Sequence, residues 1–148
     1  YLQNTLGCGP CDGPYEARKV ARYNLKYGAD FLKVMATGGV MTKGVEPGAE
    51  QLTREEMAAV VEEAHKKGAL TCTHAQGNTG IKNALAAGID CIEHGIYLDD
   101  EAINTMLEQG SWLVPTLCAP HFILKGGIAG GVPDDLRVKL LEGTVPGH

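Results

Sequence analysis

The chain has 148 residues, 44% of them hydrophobic and 21% charged, and 13 Lys plus Arg against 18 Asp plus Glu leave a net charge of −5. That composition suits a soluble chain burying the core of one domain, and it excludes a disordered tail and, because 20 glycines and 7 prolines follow no G-X-Y period, collagen. The acidic balance argues against a nucleic-acid or anionic-membrane surface, and no apolar run reaches the roughly 20 residues of a membrane helix, so a small-molecule ligand is expected.

The chain opens on Tyr1, so targeting is unreadable; five scattered cysteines are the usage of a reduced protein and favour a cytoplasmic location. Cys72, Cys91 and Cys118 lie in apolar runs and are expected as buried small hydrophobes. The first helix is signalled at Pro14 and runs through Glu16, Val20 and Leu25 to Gly28. Residues 30–35 form a strand, and Gly38-Gly39 begins a long loop through Gly44, Pro47 and Gly48 to Gln51, long enough to serve as part of a substrate lid. Thr53-Arg54-Glu55-Glu56 is a capping box opening a helix with Met57, Val60, Val61 and Ala64 on one stripe, stopped at Gly68.

The pattern then repeats with shorter links. Residues 70–74 are strand, 78–87 helix ending at Gly88, and 89–94 strand. Asp99 or Asp100 caps a helix carrying Ile103, Met106 and Leu107 as far as Gly110, and 112–117 is strand. A tail with glycines at 126, 127, 130 and 131 leads to a last helix opened by Val132-Pro133-Asp134-Asp135 and running through Leu141. Strands separated by helices imply an α/β fold with a parallel sheet and right-handed crossovers, and strands this apolar are expected to be covered on both faces.

Polar residues recur at fixed distances from the glycine that ends each helix. Lys33 lies five residues after Gly28, and His74, His94 and Thr116 lie six after Gly68, Gly88 and Gly110. They therefore fall at the C-terminal ends of four strands, where parallel α/β folds bind ligands. Either histidine alone reads as a hydrogen-bonded core residue; two at one level suit a zinc-like divalent cation. A lysine buried near such a cation is driven toward the neutral amine, which adds carbon dioxide to form a carbamate able to bridge two metals; otherwise it reaches to solvent along the rim.

The string Gly28-Ala29-Asp30-Phe31-Leu32-Lys33-Val34-Met35-Ala36-Thr37-Gly38-Gly39, with Thr73-His74-Ala75 and Ile92-Glu93-His94-Gly95, resembles the amidohydrolase superfamily of metal-dependent hydrolases. Within it the chain looks like the branch of imidazolonepropionase-like proteins, Xaa-Pro dipeptidases and zinc-dependent arginine carboxypeptidases. The resemblance implies a partial (β/α)8 TIM barrel, strands four to seven with their helices, spanning residues 1–148. It makes Lys33 the carboxylated lysine, modified by carbon dioxide, that bridges two divalent metal ions, zinc being the expected metal. His74 and His94 correspond to ligands of the second ion; Tyr97 corresponds to a residue meeting the substrate carboxylate or oxyanion, or else is a surface aromatic packing on the barrel rim; and His121, after the seventh strand, is within reach of substrate or else a solvated loop histidine.

The implied activity is hydrolysis of an amide in a dipeptide or N-acyl amino acid; a lactone, cyclic amide or organophosphate would use the same residues, and a homo-oligomer is compatible with the family. The family's His-X-His pair and its final Asp are absent, and such a barrel takes roughly 250 residues. The chain is therefore expected to be the middle of a longer enzyme, inactive by itself. Two other classes compete: a thiol-disulfide protein using Cys8-Gly9-Pro10-Cys11, whose helix would be interrupted by Asp12-Gly13-Pro14, and a non-catalytic binding module. No dinucleotide or P-loop fingerprint is spelled. His65 reads as a helix-end cation, Lys66-Lys67 as a solvated helix end, and Glu93 as pointing to the strand face opposite His94.

Overall fold

The computed structural model describes residues 9–40, 44–126 and 138. Nine elements follow one another: α1 (Pro14–Lys26), β1 (Phe31–Met35), α2 (Arg54–Lys66), β2 (Leu70–Ala75), α3 (Asn78–Ala86), β3 (Cys91–His94), α4 (Asp100–Gln109), β4 (Trp112–Val114) and α5 (Cys118–Gly126). The four strands form one parallel sheet in chain order, with Met35 beside His74, His74 beside Glu93, and Glu93 beside Val114.

Helix-strand links are short because glycine ends the helix. Gly68 and Gly88 take φ of 72° and 87°, a backbone that side-chain-bearing residues adopt at a cost, and the next strand begins within three residues. Thr53 and Glu56 make the reciprocal capping box, and Asp99 accepts from the Ala102 N–H at 2.9 Å to start α4. Glu56 also accepts from the Gly13 N–H at 2.7 Å, so the carboxylate that caps α2 holds the entry to α1.

The core lies between the helices and one face of the sheet. Ala17 and Ala21 of α1, Met57, Val60, Val61 and Ala64 of α2, and Ile81, Ala84 and Leu85 of α3 are buried with Leu32, Val34 and Ile92 of the strands. Over the α1–α2 seam, Arg18 reaches Glu62 and Glu63, both at 2.6 Å, and Arg22 meets Glu63 at 2.9 Å. At the N-terminal edge of the sheet Asp90 accepts from the Thr71 N–H and hydroxyl, both at 2.7 Å, and meets the His65 ring at 2.9 Å.

Several expectations are corrected. The strands are covered on one face only among the described residues: β1 alternates exposed and buried, and Phe31, Met35, Leu70, Trp112 and Val114 lie open on the face away from the helices. The seventh strand of the barrel scheme stops at Val114, because Pro115 has no N–H to donate and Thr116 turns to φ 51°. Residues 118–126 are helix rather than loop, with Pro120 in the first turn, where its missing N–H is tolerated. Cys72 is buried, but Cys91 is only partly so and Cys118 is exposed. As expected, His65 has a structural role, paired with Asp90, and Lys66 lies exposed at the helix end, where it also binds Glu62 and Glu63. The expected helix over 132–141, Cys8 and the glycines at 127, 130 and 131 lie outside the described residues. Among the described residues no helix is long and apolar enough to cross a membrane.

Hydrogen bonds from Arg22, then from Arg18 and Lys66, hold Glu63 down at about 2 against the opposing effect of burial. The unfolded chain, with an ordinary carboxyl, binds more protons over that interval, so this contribution is complete above a pH of about 4.5 and fades as pH falls toward 2. In urea titrations of the full-length protein, the stability gap between wild type and Glu63→Gln is expected to be present at pH 6 and to close progressively below pH 4.5.

Candidate active site

The open face of the sheet carries the polar residues singled out by the sequence. Lys33, His74 and Glu93 lie on it, since Lys33 pairs in register with Cys72, two residues before His74, and His74 pairs with Glu93. His74 is 9% exposed, and its Nε2 lies 3.2 Å from the Gly38 carbonyl, an acceptor only, so this nitrogen donates and the lone pair of the neutral ring sits on Nδ1. Burial, with the nearby Lys33 charge, pushes the His74 pKa down, which keeps the ring neutral and fit to ligate.

His94 is not at the level of His74; it pairs one residue further on, with Ala75. Simple alternation would turn its ring to the helix side with Ala75 and Ile92. Instead its backbone takes φ 74°, and the ring swings back to stand edge-on to His74, centroids 4.5 Å apart at 65°. Thr116, itself at φ 51°, places its hydroxyl 2.6 Å from His94 Nδ1. Two residues other than glycine with left-handed backbone, joined by one short hydrogen bond, are strain of the kind that collects at functional sites.

One expectation about charge is corrected here. In these four strands the Lys33 side chain is 47% exposed and forms an ion pair with Glu93. Glu93 does not point away from the site; the left-handed turn at His94, not at Glu93, breaks the alternation, so Glu93 shares the face of Lys33. Tyr97 lies in the turn after β3, its N–H donating to the Gln76 carbonyl at 3.0 Å and its own carbonyl accepting from Asn78 at 3.0 Å. His121 is on α5, exposed, its ring edge-on to Phe122. Cys11 is a free thiol pushed up by burial and then by Glu56, and its Cys-X-X-Cys partner Cys8 lies outside the described residues.

The loop after β1 is sewn down at its base. Thr37 bridges to Glu50, the Gly38 N–H donates to the Ala49 carbonyl at 2.7 Å, and the Gln51 N–H donates to that of Ala36 at 2.9 Å. The Gly38 carbonyl that orients His74 is thereby fixed. Sequence reasoning noted Thr116 only for its spacing and passed over Gln76; the shared offset of Thr116 and His94 was the available signal for the first.

Among the described residues no three His, Cys, Asp or Glu side chains gather to hold a metal. The donor chemistry nonetheless fits a divalent ion in part: two imidazoles converge, each with one ring nitrogen held by a polar group, as ligating histidines are. Lys33, paired as a cation, fits only once its charge is changed.

The sequence profile of the amidohydrolase family matches residues 2–133. Ochratoxinase from Aspergillus niger is 38% identical over 151 aligned positions, covering 94% of this chain and 32% of that protein. A solved Xaa-Pro dipeptidase with methionine bound in its active site superposes with a TM-score of 0.82 at 38% identity, over 97% of this chain and 36% of the dipeptidase. A prolidase complexed with N-methylphosphonate-L-proline superposes at 0.86 and 31% identity, over 92% and 33%. The chain thus spans about a third of the length of the relatives it matches.

A left-handed backbone costs an L-residue about 1–2 kcal/mol, and glycine nothing comparable. In the full-length protein, His94→Gly is expected to keep about 1 kcal/mol more stability than His94→Ala, measured by chemical denaturation without metal.

Proposed function

This chain belongs to the amidohydrolase family, and on that premise we propose that the protein hydrolyses an amide bond in a dipeptide or N-acyl amino acid. The four parallel strands are consecutive strands of a (β/α)8 barrel, like those of the solved relatives they superpose on. In the proposal they are strands four to seven, and the remaining barrel elements cover the open sheet face. The observation that carries the reading is the convergence of His74 and His94 at the strand ends, reached through a strained backbone.

In this reading His74 and His94 hold one of two divalent ions, zinc being the expected metal. Bound there, the metal would supply Lewis-acid polarisation of the substrate carbonyl and a water acidified enough to attack it. Lys33 would take up carbon dioxide as a carbamate: a C–N bond forms, the ammonium releases two protons to solvent and keeps one N–H, the charge goes from +1 to −1, and the attraction to Glu93 becomes repulsion. Thr116 holds the His94 ring in its ligating orientation, and the Gly38 carbonyl does the same for His74. Tyr97 and His121 are proposed to meet the substrate, Tyr97 at its carboxylate or at the developing oxyanion. The amino acids named in two of the solved relatives, methionine and a proline derivative, support an amino-acid moiety in the substrate.

Metal analysis of the full-length protein is expected to find about two divalent ions per chain. His74→Asn and His94→Asn should each lower that content and reduce kcat/KM by at least about a hundredfold, the upper end of what loss of an outer-shell partner alone costs. Thr116→Val, which removes only that partner of His94, should weaken metal affinity about 10–100-fold. Full activity in either histidine variant, or no bound metal in wild type, would overturn the reading.

A further inference from the structure

Gln76 follows β2, the strand that carries His74, and it is 5% exposed. Its side-chain Oε1 is the one buried side-chain oxygen or nitrogen among the described residues without a hydrogen-bond partner. A buried amide carbonyl with no donor is costly, so native proteins retain one where something else completes it.

Its backbone is held from both sides. The Gln76 N–H donates to the Thr37 hydroxyl at 3.0 Å, and its carbonyl accepts from the Tyr97 N–H at 3.0 Å. Ala75, fully buried, is the last residue of β2, and Gln76 follows it two residues beyond His74, at the C-terminal end of the sheet. Gly77 lacks the Cβ that would strike the Gly48 backbone, which lets the loop after β1 close beside this residue. Gln76 is thus a buried acceptor on an anchored backbone, two residues beyond His74 and framed by that loop and by the Tyr97 turn.

Resting on the amide-hydrolase reading above, we propose that Gln76 Oε1 accepts a hydrogen bond from the N–H of the scissile amide and so determines specificity. An N-acyl amino acid offers a single N–H, the one on its scissile nitrogen, and the orphaned acceptor needs one donor. A bond to proline has no such hydrogen. The site therefore favours secondary amides over Xaa-Pro bonds, because the latter leave the buried carbonyl unpaired in the complex.

The test uses metal-loaded full-length protein and two probes that differ at the nitrogen, the methylphosphonamidates of L-alanine and of N-methyl-L-alanine, with affinities from calorimetry. Wild type is expected to bind the N–H probe about tenfold more tightly. Gln76→Leu should bring that ratio near one, chiefly by weakening the N–H probe, while Gln76→Glu, which keeps an acceptor, should retain it. With the matching N-acetyl substrates, the change should fall on KM more than on kcat. If both probes bind wild type equally, or Gln76→Leu leaves the ratio unchanged, the inference is overturned and the hydrolase reading stands. A liganded crystal structure in which only a water meets Oε1 overturns it likewise. Should Gln76→Leu not fold, the wild-type ratio and Gln76→Glu decide. If neither probe binds wild type, the amide-hydrolase reading falls and takes this inference with it.

Discussion

The left-handed turn at His94 is the constraint around which the strand ends are arranged. Parallel pairing sets His74 beside Glu93, which leaves His94 beside Ala75 on the side that packs against helices. An imidazole there would enter a layer made of fully buried Ala75, Ile92 and Ala84. By adopting φ 74° the chain sends the ring to the other side instead, against His74. A single bond to Thr116, on a second left-handed residue, holds it. Neither conformation is locally favoured, so both persist because the surrounding sheet and helices over-determine them.

That support comes from the opposite edge and from the helix layer. At the N-terminal ends of β2 and β3, Asp90 binds two groups of Thr71 and the His65 ring, tying strand to strand and to α2. Burial acts to raise the Asp90 pKa, but the hydrogen bonds from His65 and Thr71 hold the carboxyl below its ordinary value, so it stays an acceptor. The Glu63 cluster and the Glu56–Gly13 bond fasten α1 to α2. The sheet therefore divides as α/β barrels do, with the structural ties at the N-terminal edge and the proposed site at the C-terminal edge.

The parts legible in the sequence are those fixed by local chemistry. Glycine after each helix, the Thr53 capping box and the apolar stripe of α2 each depend on neighbours within one or two turns, and all appear in place. What depended on a partner distant in sequence was not legible. The assignment of Glu93 to the opposite face followed alternation correctly up to Ile92 and then failed, because a positive φ at a histidine leaves no trace in composition. The Lys33–Glu93 pair spans sixty residues and one intervening strand, β2, and only register reveals it. The helix at 118–126 was missed because Pro120 and the glycines beyond it read as loop, though proline is tolerated in a first turn.

The Lys33–Glu93 pair also bears on how the proposed metal centre would assemble. It sits on a sheet face otherwise lined by Phe31, Met35, Leu70 and Trp112, so any element covering that face withdraws the pair from water. Two opposite charges can share such a place; removing one leaves the other uncompensated, which is far more costly. Carboxylation of Lys33 sets two anions side by side, worse still unless cations arrive with them. On the proposed reading, carbon dioxide uptake and metal binding would therefore be coupled through Glu93, because divalent charge would balance both anionic groups.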